Sequence, residues 1–144
     1  MRWQLTAVLG VVAVAGCSKE PYSLASVSGK VTLNGRPLPN ATVTFQPIGS
    51  LKQDPGPGST GRTDADGRYT LLTVAVGSRR RGAVVGWHHV SITTQSGAKP
   101  QASSDDRQRP PPEILPDRYN ARTDLKFEVP PKGTEQADFE LTSP

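Results

Sequence analysis

One cysteine, Cys17, is all the chain has, so no disulfide within it can staple the fold and no cluster of thiolates can hold a metal. Histidine is nearly as scarce. His88 and His89 are the only two, and adjacent residues of an extended strand point to opposite faces, which denies them a shared metal ion. No apolar run reaches the roughly 20 residues that a transmembrane helix needs. Nor does charge accumulate: 17 basic against 13 acidic residues leave a net +4, too mild for a nucleic-acid binder. There is no HExxH, no nucleophile elbow and no plausible Ser–His–acid spacing, so neither an enzyme nor a cofactor is expected, and a small hydrolase is the weakest reading. Leucines are few, helical periodicity is missing, and 14 glycines and 14 prolines punctuate 144 residues. That composition calls for many short strands joined by turns.

What is present begins at the amino end. Arg2 is followed by an apolar run from Leu5 to Ala15, then by small residues and the cysteine. The run fits the apolar region of a secretory signal, about 7–15 residues long. Val14-Ala15-Gly16-Cys17 resembles the lipobox of bacterial lipoproteins. That resemblance implies acylation of Cys17, palmitate being the typical chain, with cleavage after Gly16 so that residues 1–16 are a signal peptide. Two or three acyl chains anchor stably, where a single one binds marginally at about 0.8 kcal/mol per buried methylene. The mature chain would keep 128 residues, one domain's worth, with Cys17 to Ser26 as lipidated terminus and flexible spacer. Ser18 stands where some bacteria read a retention signal from Asp, so by analogy an outer-membrane location is favoured over the inner membrane.

From residue 27 the pattern is that of strands. Val27, Gly29, Val31 and Leu33 alternate with Ser28, Lys30 and Thr32, and Asn34-Gly35 supplies a tight reversal. Ala41, Val43 and Phe45 alternate next. Ile48 to Gly58 reads as an exposed loop. Ser59 to Thr63 and Arg68 to Thr73 read as a hairpin closed around Asp66-Gly67, and Val74 to Gly86 as a basic loop. In Trp87 to Thr94, the period of two puts His88, Val90 and Ile92 inward and Trp87, His89, Ser91 and Thr93 outward. Residues 95–113, polar and ending in a proline run, read as a mobile loop. Ile114 to Tyr119 forms an apolar clip back to the core. Leu125, Phe127 and Val129, then Ala137, Phe139 and Leu141, mark two closing strands joined by Pro130 to Gly133.

Seven short strands without a helix predict a single all-β domain over 27–142, an antiparallel Greek-key β-sandwich. Gly29-Lys30-Val31 with Pro37 to Val43, Thr63 to Leu71, and Gly86 leading into Val90-Ser91-Ile92 resemble the carboxypeptidase regulatory-like domain. Leu115 to Tyr119 and Phe139-Glu140-Leu141 are similar to the closing pattern of short bacterial lipoproteins that carry it. The resemblance implies a transthyretin-like sandwich that works as a tethered accessory or binding module without zinc.

Two clusters invite chemistry. Asp64-Ala65-Asp66-Gly67 starts like a calcium loop, but the sixth and twelfth places hold Tyr69 and Ala75 instead of Gly and Glu. An Asx-type turn accounts for it more simply. Arg79-Arg80-Arg81, with Trp87 nearby in sequence, could grip an anionic partner, although charge runs are commonly just solvated. The expected protein is therefore a non-catalytic, membrane-tethered binding or structural module of the cell envelope. Its partners would be a lipid surface and an envelope polysaccharide or protein. The runner-up is an accessory domain that docks onto a larger envelope complex by edge-strand pairing.

Overall fold

The structure, a computed structural model, describes residues 21–49, 54–75, 77–95 and 112–144. The readings made for Val14, Ala15, Gly16 and Cys17, and for most of 95–113, lie outside the described residues. Twelve short strands run in chain order: β1 Leu24–Ala25, β2 Ser28–Leu33, β3 Arg36–Pro37, β4 Thr42–Pro47, β5 Ser59–Arg62, β6 Arg68–Thr70, β7 Leu72–Ala75, β8 Ser78–Arg81, β9 Ala83–Val84, β10 Gly86–Thr93, β11 Lys126–Val129 and β12 Phe139–Leu141. A single 3-10 turn, Asp117–Tyr119, interrupts them.

Two sheets face each other across one core, so the protein is an all-β sandwich. The larger has the order β11-β10-β4-β5-β7-β8, antiparallel throughout. The smaller is built on β2. One edge of β2 takes β6 along Ser28 to Lys30 and β3 along Thr32 and Leu33. Its other edge takes the segment that ends in β12, and that pairing is parallel, an exception to the antiparallel expectation. β1 and β9 pair separately as a two-stranded ribbon.

Local chemistry explains most of these elements. Val43 and Phe45 on β4, Val90 and Ile92 on β10, and Phe139 and Leu141 on β12 are buried as their alternation requires. Asn34 and Gly35 both hold positive φ, 51° and 79°, in the reversal between β2 and β3. Phe45 meets Phe127 at 5.7 Å and Phe139 at 6.1 Å between ring centroids, which joins β4 and β11 to β12 of the other sheet. Burying a ring of this size contributes about 3 kcal/mol. At Gly29 a side chain is excluded, because a Cβ there would lie 2.0 Å from the Ala137 carbonyl oxygen.

Four expectations change. The hairpin around Asp66-Gly67 is split between sheets: β6 pairs with β2, while β7 pairs with β5. Leu71 is the hinge between them, fully buried, its amide donating to the Val27 carbonyl at 2.9 Å. The basic loop contains a strand, β8, which alternation could not reveal because all four of its residues are exposed. The spacer ends earlier than residue 26, since Leu24 and Ala25 form β1 and Ala25 is buried. The loop before β5 is only partly exposed: Pro55 to Gly58 are half-buried, with the Tyr22 ring packed over Gly56.

Candidate functional site

Register along the larger sheet gives the domain two unlike ends. At one end lie the start of β10, the end of β4 and the turn joining β7 to β8. Phe45 sits opposite both Val90 and Ser59, and Ser59 opposite Thr73, so Trp87, Ile48 and Val74 all fall toward this end. At the other end lie Thr93, Thr42 and Arg62. The chain joins the body at the first end: β1 runs beside β9, and the Val85 amide donates to the Ser23 carbonyl at 2.9 Å.

A charged cleft of about 650 Å³ runs over the outward face of β2 and β6, from Ser28 and Glu135 nearer the first end to Arg62 and Asp64 at the second. Arg62 from β5, Arg68 from β6 and Lys30 from β2 line it, with Asp64, Glu135 and Asp138. Two of the acids are engaged with backbone. Asp64 Oδ1 accepts from the amides of Asp66 and Arg68, both at 2.9 Å, and Asp138 Oδ1 accepts from the Lys30 amide at 2.8 Å. The turn at Asp64 to Gly67 is therefore an Asx turn, with Gly67 at φ 72°. Tyr69, part of the cleft lining, donates its hydroxyl to the Ala137 carbonyl at 2.6 Å. Burial, aided by the Asp138 charge, pushes that phenol well above its ordinary value, so it stays a neutral donor. The arrangement offers three cations on rigid strands to a polar ligand. Sequence reasoning missed it because its members come from three separated segments, each of which reads locally as the polar face of a strand or turn.

The basic triplet and Trp87 are not brought together. Arg79, Arg80 and Arg81 lie on β8 at the sheet's edge, and β7, β5 and β4 separate them from Trp87 on β10. At about 4.8 Å per strand, four steps across the sheet amount to ~19 Å. A single small anion cannot touch both. Charged residues on a sheet edge have a second physical effect, which is to discourage another strand from adding there.

His88 and His89 do face opposite ways. His89 is exposed. His88 is fully buried, its ring 5.5 Å from that of Phe45. Since the Gly86 carbonyl can only accept, Nδ1 donates to it at 2.9 Å, and Nε2 is the bare nitrogen, without a hydrogen-bond partner. Burial lowers its pKa, opposed weakly by the Gly86 contact. Among the described residues the other buried polar side chains are satisfied. The Thr73 hydroxyl donates to the Gly82 carbonyl at 2.7 Å and so accepts from Ser59 at 2.8 Å, while Thr63 Oγ1 donates to the Leu38 carbonyl and accepts from the Ala41 amide. These hydroxyls are structural. Among the described residues no three His, Cys, Asp or Glu side chains gather as a metal site.

Glu113, read as part of a mobile loop, is instead fastened to the end of β10. Its carboxylate accepts from the Thr93 hydroxyl, from the Thr94 hydroxyl at 2.6 Å and from the Leu115 amide at 3.0 Å. Partial burial raises its pKa, but these bonds outweigh that and hold the carboxyl at about 2.

What the sandwich and its cleft define is a class, a small all-β domain with a charged cleft on its smaller sheet. Comparison with protein-family models, with curated proteins and with solved structures finds no match.

Proposed function

We propose that this protein is a lipid-anchored, non-catalytic binding module of the cell envelope, which holds an acidic or mixed-charge envelope polysaccharide in the cleft of Lys30, Arg62 and Arg68. The observation that carries the reading is the position of that cleft. Its Arg62, Asp64 and Arg68 side lies toward the end of the sandwich remote from where the chain joins the body, so a tether at Cys17 would present those cations away from the lipid surface. Bidentate guanidinium pairing suits carboxylate and phosphate groups, and strands fix two such forks within one opening. The likeness to carboxypeptidase regulatory-like domains and the lipobox-like Val14 to Cys17 support an accessory role on the outer membrane. The structural use of Ser59, Thr63, Thr73 and the Tyr69 hydroxyl supports a non-catalytic one.

The alternative, docking by edge-strand pairing, would use a free edge such as β8. Three consecutive arginines there disfavour it. Capture of the membrane-extracted protein on isolated envelope polysaccharide tests the first reading. Retention should fall with salt and drop at least about tenfold in Arg62→Ala/Arg68→Ala, as the loss of charge-assisted bonds requires. Full retention by that variant would remove the cleft from the account. Separately, Cys17→Ser should abolish lipid labelling and release the protein from membranes.

A further inference from the structure

Large apolar side chains left in solvent are concentrated where the chain arrives. Among the described residues five are exposed, by 37 to 55 %: Ile48, Leu72, Val74, Trp87 and Ile114. Three of them, Trp87, Ile48 and Val74, end their strands on the side where β1 leads the chain in, and Leu72 precedes Val74 on the same outer face. Only Ile114 belongs to the opposite end, its amide donating to Thr94 Oγ1.

The group is continuous with the tether. The Ile48 amide donates to the Trp87 carbonyl at 2.8 Å, which sets the two side by side. Ile48 also lines a cavity of about 690 Å³ with Pro21, Tyr22, Pro55, Val84 and Pro131, so the first described residues of the chain wall the same hollow. From Trp87 on β10 to Val74 on β7 is three strand steps, ~14 Å, and Arg79 stands opposite Val74 on β8. The charges about this end are Asp54 and Glu128 against Lys132 and Arg79, Arg80 and Arg81 of β8, a modest basic excess. Anionic lipid would therefore add some attraction, and neutral phosphatidylcholine isolates the apolar contact.

Length of chain closes the argument. Four residue steps lead from Cys17 to Pro21, and fully extended they reach at most about 14 Å. An acyl chain on Cys17 would therefore confine Pro21, and the end of the sandwich that it joins, to within that distance of the bilayer surface. Tryptophan and aliphatic side chains held at that depth prefer the headgroup boundary to water.

We infer that this end is a lipid-interface seat, in which Trp87, Ile48 and Val74 rest in the headgroup region of the membrane that holds the Cys17 acyl group; the inference rests on the lipid-anchor reading. Seating orients the body, so that the cleft of Arg62 and Arg68 points outward. The full-length protein, extracted from membranes and reconstituted in phosphatidylcholine vesicles, tests it. Removal of residues 1–16 leaves Trp87 as the only tryptophan, a built-in depth probe.

With intact mass confirming an acylated Cys17, Trp87 emission should shift to the blue, and lipids brominated near the headgroup should quench it at least about twice as strongly as lipids brominated at mid-chain, as an interfacial depth requires. Ile48→Glu/Val74→Glu should reduce that quenching by about half or more, while Ile114→Glu leaves it unchanged. An acylated protein whose Trp87 ignores both brominated lipids overturns the seat and leaves the anchor standing. An unmodified Cys17 overturns both.

Discussion

The imidazole of His88 lies 5.5 Å from the Phe45 ring in the middle of the sandwich, with Nδ1 tied to the Gly86 carbonyl and Nε2 facing no partner. A neutral ring tolerates this placement, because a bare nitrogen is cheaper to bury than an unpaired N–H. A proton on Nε2 would create a charge with nothing to receive it.

The pH dependence follows. The folded state binds that proton less readily than the unfolded chain, whose His titrates near 6.5, so the unfolded state carries more protons as pH falls below that value. Stability should be level above about pH 7 and decline from 6.5 toward 5. His88→Phe, of similar volume, should flatten this part of the profile, and His89→Gln should not. Thermal melts across the range decide it, and an unchanged slope in His88→Phe would refute the assignment.

Glu113 acts with the same direction at lower pH. Its carboxyl is held at about 2 instead of 4.5, so its contribution is complete above about 4.5 and fades as pH falls toward 2. The group is only partly buried, and solvent screening reduces what the shift alone would suggest to about 1 kcal/mol. Glu113→Gln should cost about that much at pH 7 and nothing near pH 2. Hydrogen exchange at the Thr94 and Leu115 amides should quicken in the variant, which checks that the effect is local.

Gly29 has no room for a methyl group, and the obstacle is backbone. Gly29→Ala must push β2 away from the segment carrying Ala137 by more than an ångström, breaking the Ala137 amide bond to Ser28. A loss of about 3 kcal/mol or more is expected. Denaturant titration would show it as a lower midpoint, and a midpoint within ~0.5 kcal/mol of wild type would contradict the close approach.

The arginines of β8 predict solution behaviour. Arg79→Thr/Arg81→Thr keeps strand propensity but uncovers an edge bordered by Leu72 and Val74, their cross-strand partners. Concentration-dependent association should follow, visible by sedimentation at tens of micromolar, where wild type stays monomeric. If the variant also stays monomeric, edge protection is not their role.

Alternation along the chain was enough to find the faces of β2, β4, β10 and β12, because each carries two or more large apolar residues at a spacing of two. It could not find partners. Tyr69 and Leu71 look like one continuous strand, yet the pairing changes sheets between them, since both positions are inward in either sheet and the local pattern is identical. β8 offered no pattern because nothing on it is buried, and β1 is two residues long. Glu113 stood beyond a run of prolines, and its partners Thr93 and Thr94 lie about twenty positions earlier. The cleft was invisible for the same reason: Lys30, Arg62 and Glu135 become neighbours only when both sheets are in place.

The parallel pairing of β12 with β2 sets an order of events. The Lys30 amide finds Asp138, 108 positions downstream, and Phe139 then aligns with Val31. While the polypeptide is still being made, the first long strand therefore has a vacant side that only residues more than a hundred positions downstream can fill. Such distant closure places this protein among the slow, late-committing folders, in the millisecond-to-second range. A nascent chain stopped before Asp138 should leave that side of β2 open and the smaller sheet incomplete.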